Sequence, residues 1–170
     1  MTDQGTRIRR RVDSEPGVHF NALVRGLDLA PGQVQYHLRG LLADDRVVRE
    51  QLYGKTHYYP PEYDDWERGA LALLRRETVR DLLLTLLERE RARPAALAEE
   101  LDVARSTVEW HVGHLQEQDL VEKRRDDRNR VTLVPTHPER TTRLLAAVEP
   151  SLPERMVDRF TRLVDDLLAD

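Results

Sequence analysis

The chain contains one segment twice, and this internal repeat limits its fold more than any other feature. A shift of 74 residues, the separation of His37 and His111, aligns the first half with the second without a gap. The identical pairs fall at helical spacing, and they are Ala22/Ala96, Leu23/Leu97, Leu27/Leu101, Asp28/Asp102, Ala30/Ala104, Val34/Val108, His37/His111, Leu41/Leu115, Asp45/Asp119, Val47/Val121 and Pro61/Pro135. Self-similarity at a fixed separation indicates a duplicated structural unit, so both copies should adopt one fold.

Each copy predicts three helices and a terminal β-hairpin. The third helix of the first copy, over residues 31–44, carries Val34, Leu38 and Leu41 on one helical face. The other helices are expected over residues 5–14 and 19–27, and over 76–91, 94–101 and 105–118. The hairpins are expected from Val47–Leu52 with Thr56–Tyr59 and from Val121–Arg125 with Arg130–Val134. The predicted fold class is therefore mainly α with small β-hairpin wings, namely two tandem winged helix-turn-helix domains plus C-terminal helices.

The repeat also predicts the domain organisation. Residues 1–61 form the first winged helix-turn-helix domain, 62–75 a linker helix, 76–135 the second domain and 136–170 the C-terminal helices. Thr136 with Glu139 has the spacing of a capping box for the first of these helices. The last helix carries an apolar stripe of Val157, Phe160, Val164 and Leu167. Such a stripe needs a partner surface, either on the same subunit or on a second copy, and a homodimer is the oligomer that we expect.

Composition and motifs exclude several classes of protein. The chain has no cysteine, which excludes disulfides and cysteine-ligated zinc. Its longest apolar stretch, Leu82–Leu87, is interrupted by Thr85 and is too short to cross a bilayer. No secretory leader is visible, so we expect a cytoplasmic protein without a membrane partner. No phosphate loop or nucleophile elbow is present, so we expect no enzyme, no catalytic residue and no cofactor. His111 and His114 are three residues apart but lack a third ligand, and we expect no metal site.

The third helices carry a family resemblance. The run Val34-Gln35-Tyr36-His37-Leu38, followed by Leu41 and Val47-Val48, resembles archaeal winged helix regulators of the broad multiple-antibiotic-resistance and arsenic-repressor type. The run Ser106 to Val112 is similar, and the whole chain resembles the tandem winged helix-turn-helix regulators common in haloarchaea. The resemblance implies sequence-specific binding of double-stranded DNA and control of transcription. It identifies neither a target gene nor an effector ligand.

Two positions depart from the family pattern. The turn before the third helix, where glycine is frequent, holds Asp28 or Asp102, and aspartate tolerates a left-handed backbone better than most residues. The position of the helix N-cap, where serine or threonine is expected, holds Ala30 or Ala104. We expect Ser106 to cap the third helix of the second copy instead.

The candidate DNA contacts lie on the third helices and the wings. In helix-turn-helix proteins the exposed residues of the third helix reach base edges in the major groove, where glutamine suits adenine and arginine suits guanine. The first copy offers Gln33, Gln35, Tyr36 and Arg39 with Lys55 on its wing, and the second offers Arg105, Ser106, Thr107 and Trp110 with Lys123, Arg124, Arg125, Arg128 and Arg130 on its wing. Glu109 and Glu117 would repel phosphate, so the first copy should be the better base reader and the second should rely on its basic wing.

His37 and His111 occupy matched positions beside the apolar stripe, and each is expected to be a half-buried histidine that is hydrogen-bonded within its domain.

The alternative function is a tandem winged-helix protein-interaction module in a transcription or chromosome-organising assembly. The net charge of −4 and the glutamates of the second copy favour that alternative, whereas the basic second wing opposes it.

Overall fold

The computed structural model describes residues 2–148 together with Asp165, Leu168 and Ala169, so nearly all of the predicted last helix lies outside the described residues. The chain divides into two compact units, residues 1–75 and 76–170. The first unit contains α1 (Asp3–Ser14), β1 (Val18–His19), α2 (Phe20–Leu27), α3 (Pro31–Ala43), β2 (Val48–Leu52), β3 (Lys55–Tyr59) and α4 (Asp65–Leu74). The second contains α5 (Glu77–Arg89), α6 (Pro94–Leu101), α7 (Arg105–Glu117), β4 (Val121–Arg125), β5 (Val131–Pro135) and α8 (Pro138–Ala147). The fold class is confirmed: three helices precede a β-hairpin in each unit.

The core of the first unit forms where the apolar stripes of its first three helices meet. Ile8, Leu23 and Val34, one from each helix, are completely buried. Burial of one such side chain stabilises the fold by roughly 1.5–3 kcal/mol. The repeat puts Leu82, Leu97 and Val108 at the same positions of the second unit, and they are equally inaccessible. In each unit this core fixes the third helix on the two helices that precede it.

The sequence analysis missed a short β-pairing at the edge of each hairpin. In the first unit β1 pairs antiparallel with β3, with Val18 opposite Tyr58. Its counterpart in the second unit is a single bridge between Ala92 and Leu133, with the Ala92 amide donating to the Leu133 carbonyl at 3.1 Å. A strand of two residues has no measurable alternation, so hydrophobic periodicity could not reveal it.

The gapless alignment of the two copies fails at the tip of the wing. Arg49 pairs with Tyr58 in the first hairpin, and its repeat counterpart Lys123 pairs with Leu133, which is 75 residues after Tyr58. The first wing turns through Tyr53 and Gly54, both with positive φ, as a two-residue hairpin turn requires. The second wing has one residue more in its turn and places Asn129 at φ 59°. The structural counterpart of Pro135 is therefore Pro60 rather than Pro61.

Aspartates hold the left-handed positions on both sides of the third helix. Asp28 and Asp102 precede it with φ of 51° and 53°, which confirms the predicted turn. Asp45 and Asp119 follow it with φ of 52° and 57°. Aspartate adopts this conformation at lower cost than most residues with a Cβ, because its side chain can bond to the nearby backbone. Four aspartates that are identical between the copies thus fix the ends of the two third helices.

The predicted helix caps are wrong at two helices. α7 begins at Arg105 with Ala104 as N-cap, so Ser106 is already helical and caps nothing. α8 begins at Pro138 with His137 as N-cap, whereas the Thr136 amide donates to the Leu120 carbonyl at 3.0 Å. Proline favours the first position of a helix because its missing N–H needs no partner there. Pro138 therefore sets the start of α8 two residues after Thr136.

Helix α4 packs on the sheet of the first unit. The Tyr59 hydroxyl donates to the Arg68 carbonyl at 2.7 Å, and burial raises the pKa of this phenol. Gly17, at φ +85°, lies so close to α4 that a Cβ there would be 3.3 Å from Leu71 Cβ. Within residues 2–148 no helix combines the length and the apolar character that a membrane span needs.

Candidate nucleic-acid interface

The third helix of each unit exposes an aromatic side chain at the same repeat position. Tyr36 on α3 is 71% exposed, and Trp110 on α7 is 57% exposed. Both lie on the face opposite the buried Val34 and Val108, which are two residues earlier and therefore about 200° around the helix. Among the described residues the only other large exposed apolar side chain is Leu168. Each unit thus presents a third helix whose outer face is open to solvent.

The outer face of α3 has polar side chains with few intramolecular partners. Gln35 and Arg39 are exposed, and neither side chain forms a hydrogen bond or ion pair with the described part of the chain. Arg39 and Tyr36 line the same open cleft beside the N-terminus of α1. Gln33 is also exposed, but its Oε1 accepts a hydrogen bond from the Ala30 amide at 3.1 Å. Gln33 therefore helps to start the helix, and its Oε1 already has a partner.

The first wing has a basic side chain, Arg49, that the sequence analysis missed and that has no acidic partner in the described part of the chain. Arg49 and Gln51 are exposed on β2, and Lys55 is exposed at the start of β3. The one acid between them, Glu50, points to the other face of the strand and forms an ion pair of 2.7 Å with Arg68 of α4. Arg49 could have been found from the repeat, because it is the counterpart of Lys123 in the basic second wing.

The outer face of α7 is more strongly committed to internal contacts. Arg105 and Ser106 are exposed and Thr107 is half-buried. Glu109 Oε2 accepts a hydrogen bond of 3.2 Å from Lys123 Nζ, which joins the helix to β4 of the wing. The Trp110 ring meets the His111 and His114 rings edge to face, with centroids 4.9 and 4.6 Å apart.

The tip of the second wing is organised by one carboxylate. Asp126 Oδ1 accepts from the amides of Arg128 and Arg130, both at 2.9 Å, and Oδ2 accepts from Arg130 Nε at 2.7 Å. These hydrogen bonds, led by that of the Arg130 amide, hold the pKa of Asp126 below its usual value. Arg124 forms an ion pair with Glu122, and Arg125 donates to the Asn129 side chain at 3.2 Å. Neither Arg125 nor Arg128 has an acidic partner among the described residues, and the Arg128 guanidinium has no hydrogen-bond partner there either.

The two matched histidines differ in their surroundings. His37 is half-buried with its nitrogens 2.9 Å from Gln4 Oε1 and 3.2 Å from Thr2 Oγ1, which confirms the predicted hydrogen-bonded role. His111 is buried and its Nδ1 has no hydrogen-bond partner, so the same prediction is wrong for the second copy. The repeat counterpart of Thr2 is Arg76, which offers no acceptor. Burial and, to a smaller extent, the charge of Arg76 lower the pKa of His111.

These features define a class of protein. Each unit has a three-helix core, a tight turn before an exposed third helix and a β-hairpin after it, which is the architecture of a winged helix-turn-helix domain. Residues 2–71 match a family model described as an N-terminal HTH domain, where HTH denotes helix-turn-helix, and residues 73–124 match one described as a helix-turn-helix domain. The chain is a tandem helix-turn-helix protein of the transcriptional-regulator type. Its general function is that of a DNA-binding regulator. No curated protein matches the chain.

Proposed function

We propose that this protein controls transcription by binding double-stranded DNA, with α3 as the principal reader of bases and the two wings as phosphate contacts. The observation that carries the proposal is the open outer face of α3, where Gln35, Tyr36 and Arg39 project from a helix that is fixed by a buried core. A helix held in this way can enter the major groove without a change of shape. Glutamine and arginine are the side chains that discriminate adenine and guanine there.

The second unit contributes chiefly charge. Three of its cations are exposed and have no acidic partner in residues 2–148. They are Arg105 at the start of α7 and Arg125 and Arg128 on the wing. Ser106, Thr107 and Trp110 remain proposed contacts on the same helix. Lys123, Arg124 and Arg130 are proposed contacts whose ion pairs must open before they can bind phosphate. Phosphate contacts of this kind position a protein on DNA but carry little sequence information.

Substitution of Arg39 tests the base-reading role. The protein first selects its duplexes from a randomised pool, and binding is then measured by fluorescence anisotropy on a selected duplex and on a fixed mixed-sequence duplex. If Arg39 reads a base, Arg39→Ala should weaken binding to the selected duplex by about 1–3 kcal/mol and relax the base preference at one position of the site. Arg10→Ala is the matched control, because Arg10 is exposed on the side of α1 opposite Ile8 and Val12. Equal losses for the two variants would contradict the assignment.

A second candidate function is an adaptor that docks on another protein. Exposure of Trp110 favours it, since tryptophan is enriched at protein interfaces and unusual on open surfaces. The salt dependence of DNA binding distinguishes the two functions. DNA binding should weaken steeply as salt rises because bound counterions are released, whereas an adaptor would not bind the selected or the mixed duplex at any salt concentration.

Oligomeric state is part of the same proposal. A homodimer would place two copies of α3 on the half-sites of a palindromic operator, as helix-turn-helix dimers do. The apolar stripe predicted for the last helix supports this arrangement. Sedimentation velocity of the full chain and of a chain ending after Val148 would test it, since only the full chain should form the dimer.

A further inference from the structure

The repeat places a different pair of side chains at one joint between the third helix and the wing. In the second unit Glu109 of α7 is bonded to Lys123 of β4 at 3.2 Å. The counterparts in the first unit are Gln35 and Arg49. Glutamine carries no charge, and Arg49 has no acidic partner in the described part of the chain. The same joint is therefore neutralised from within in one unit and basic in the other.

The surroundings of the joint accentuate this difference. The acid nearest to Arg49 along the strand, Glu50, is paired with Arg68 on the opposite face of the first wing. The second wing adds two internal pairs, Arg124 with Glu122 and Arg130 with Asp126. Within the described residues Arg49 of the first wing has no acidic partner, whereas Lys123, Arg124 and Arg130 of the second unit each form an internal ion pair.

The bond between Glu109 and Lys123 competes with DNA. Both side chains are about a third exposed, and exposed ion pairs add little to stability, so the bond can open at low cost. When Lys123 turns to a phosphate, however, the carboxylate of Glu109 stays on the same surface and repels the nucleic acid. Lys123 therefore gains less from DNA than an unpaired cation does.

We infer that Glu109 acts as an internal substitute for a DNA phosphate, which restrains the contribution of the second unit, and that Arg49 is a phosphate contact of the first unit. The inference rests on the proposed DNA-binding function. Its consequence is specific: Glu109→Gln reproduces the residue found at position 35 and should convert the second unit into a stronger DNA binder.

Salt titration of Glu109→Gln measures the effect. Binding to the mixed-sequence duplex is followed by fluorescence anisotropy at mildly alkaline pH over a series of salt concentrations. Release of Lys123 should tighten binding at low salt and steepen the slope of log K against log salt by about 0.9, one extra phosphate. A fourfold rise in salt would then cost the variant about 3.5-fold more affinity than the wild type. Arg49→Ala should make the slope shallower by about the same amount.

Two further variants distinguish this mechanism from a general loss of repulsion. Glu117→Gln removes the same charge from the same helix but frees no lysine, because the partner of Glu117 among the described residues is His114, with 3.9 Å between Glu117 Oε2 and His114 Nδ1. It should leave the slope unchanged. Adding Lys123→Ala to Glu109→Gln should cancel the gain. Glu109→Ala serves as a second variant, and thermal unfolding checks that each protein is folded.

The results separate the inference from the proposed function. An unchanged slope for Glu109→Gln, an equal gain for Glu117→Gln, or a gain that survives loss of Lys123 would overturn the inference while wild-type binding stands. Failure of the wild type to bind the selected and mixed duplexes at every salt concentration would instead overturn the proposed function.

Discussion

The start of α3 lacks a side-chain cap, and supplying one should stabilise the first unit. Ala30 occupies the N-cap position with the extended backbone that this position requires, at φ −65° and ψ 144°. Its methyl group accepts no hydrogen bond, although Gln33 already bonds back to the Ala30 amide at 3.1 Å. Ala30→Ser would add the missing half of a capping box, in which the serine Oγ accepts from the backbone amide of Gln33 beside the Ala30 carbonyl, which accepts from the same amide at 3.0 Å.

The size of the gain follows from the geometry. A serine N-cap is worth about 1 kcal/mol relative to alanine, and Ala30 is exposed, so the hydroxyl needs no rearrangement of the core. If the 75-residue first unit unfolds on its own, about 1 kcal/mol should raise its Tm by roughly 4–8 °C. If the whole chain unfolds in one step, the rise should be roughly 2–4 °C.

Differential scanning calorimetry distinguishes these outcomes. Ala43→Ser makes the same chemical change at the last residue of α3, where it adds no cap, and should change stability by at most about 0.5 kcal/mol. Ala104→Ser should gain less than Ala30→Ser because position 107 is threonine and cannot complete the box. A Tm for Ala30→Ser no higher than that of Ala43→Ser would refute the reasoning.

Three further results are expected. Asp28→Ala should destabilise the first unit by about 1–2 kcal/mol in urea unfolding because its φ is 51°, whereas Asp28→Gly should be nearly neutral; equal losses would contradict this. Arg128→Ala should make the salt slope of DNA binding shallower by about 0.9 without altering base preference, and a changed preference would contradict a phosphate role. The pKa of His19 is lowered from 6.5, first by burial and then by the charges of Lys55 and neighbouring groups. Its neutral Nδ1 accepts a hydrogen bond from the Ala22 amide at 3.3 Å. Its contribution to stability is therefore present above pH 6.5 and lost as pH falls through the folded pKa. His19→Asn keeps an acceptor and should reduce that acid loss in thermal unfolding at about pH 5 to 8, and an unaltered pH profile would contradict the assignment.

The helices and wings could be predicted because their signals are local and occur twice. α6 has the predicted limits, and α2 and α3 differ from theirs by one residue. The left-handed turns were predictable from single aspartates, because few other residues tolerate that backbone. Agreement between the two copies reinforced each of these assignments.

Features that depend on distant partners could not be predicted. β1 exists only because Val18 meets Tyr58, which is far away in sequence. The extra residue of the second wing is visible only in the pairing of Lys123 with Leu133. The ion pair of Glu109 with Lys123 likewise requires the position of the wing beside α7, so the sequence showed two charges but not that they neutralise each other.

Comparison of the two copies separates residues that make the fold from residues that meet a partner. Most identical pairs are core side chains, such as Val34 and Val108, or aspartates at left-handed turns. The pairs that differ on the third helix and wing are exposed, and the clearest is Tyr36 with Trp110. Since the shared fold leaves these positions free, their divergence gives the two units different recognition surfaces. The base sequence of an operator should therefore be defined mainly where the first unit binds, whereas the part that meets the second unit should tolerate base changes.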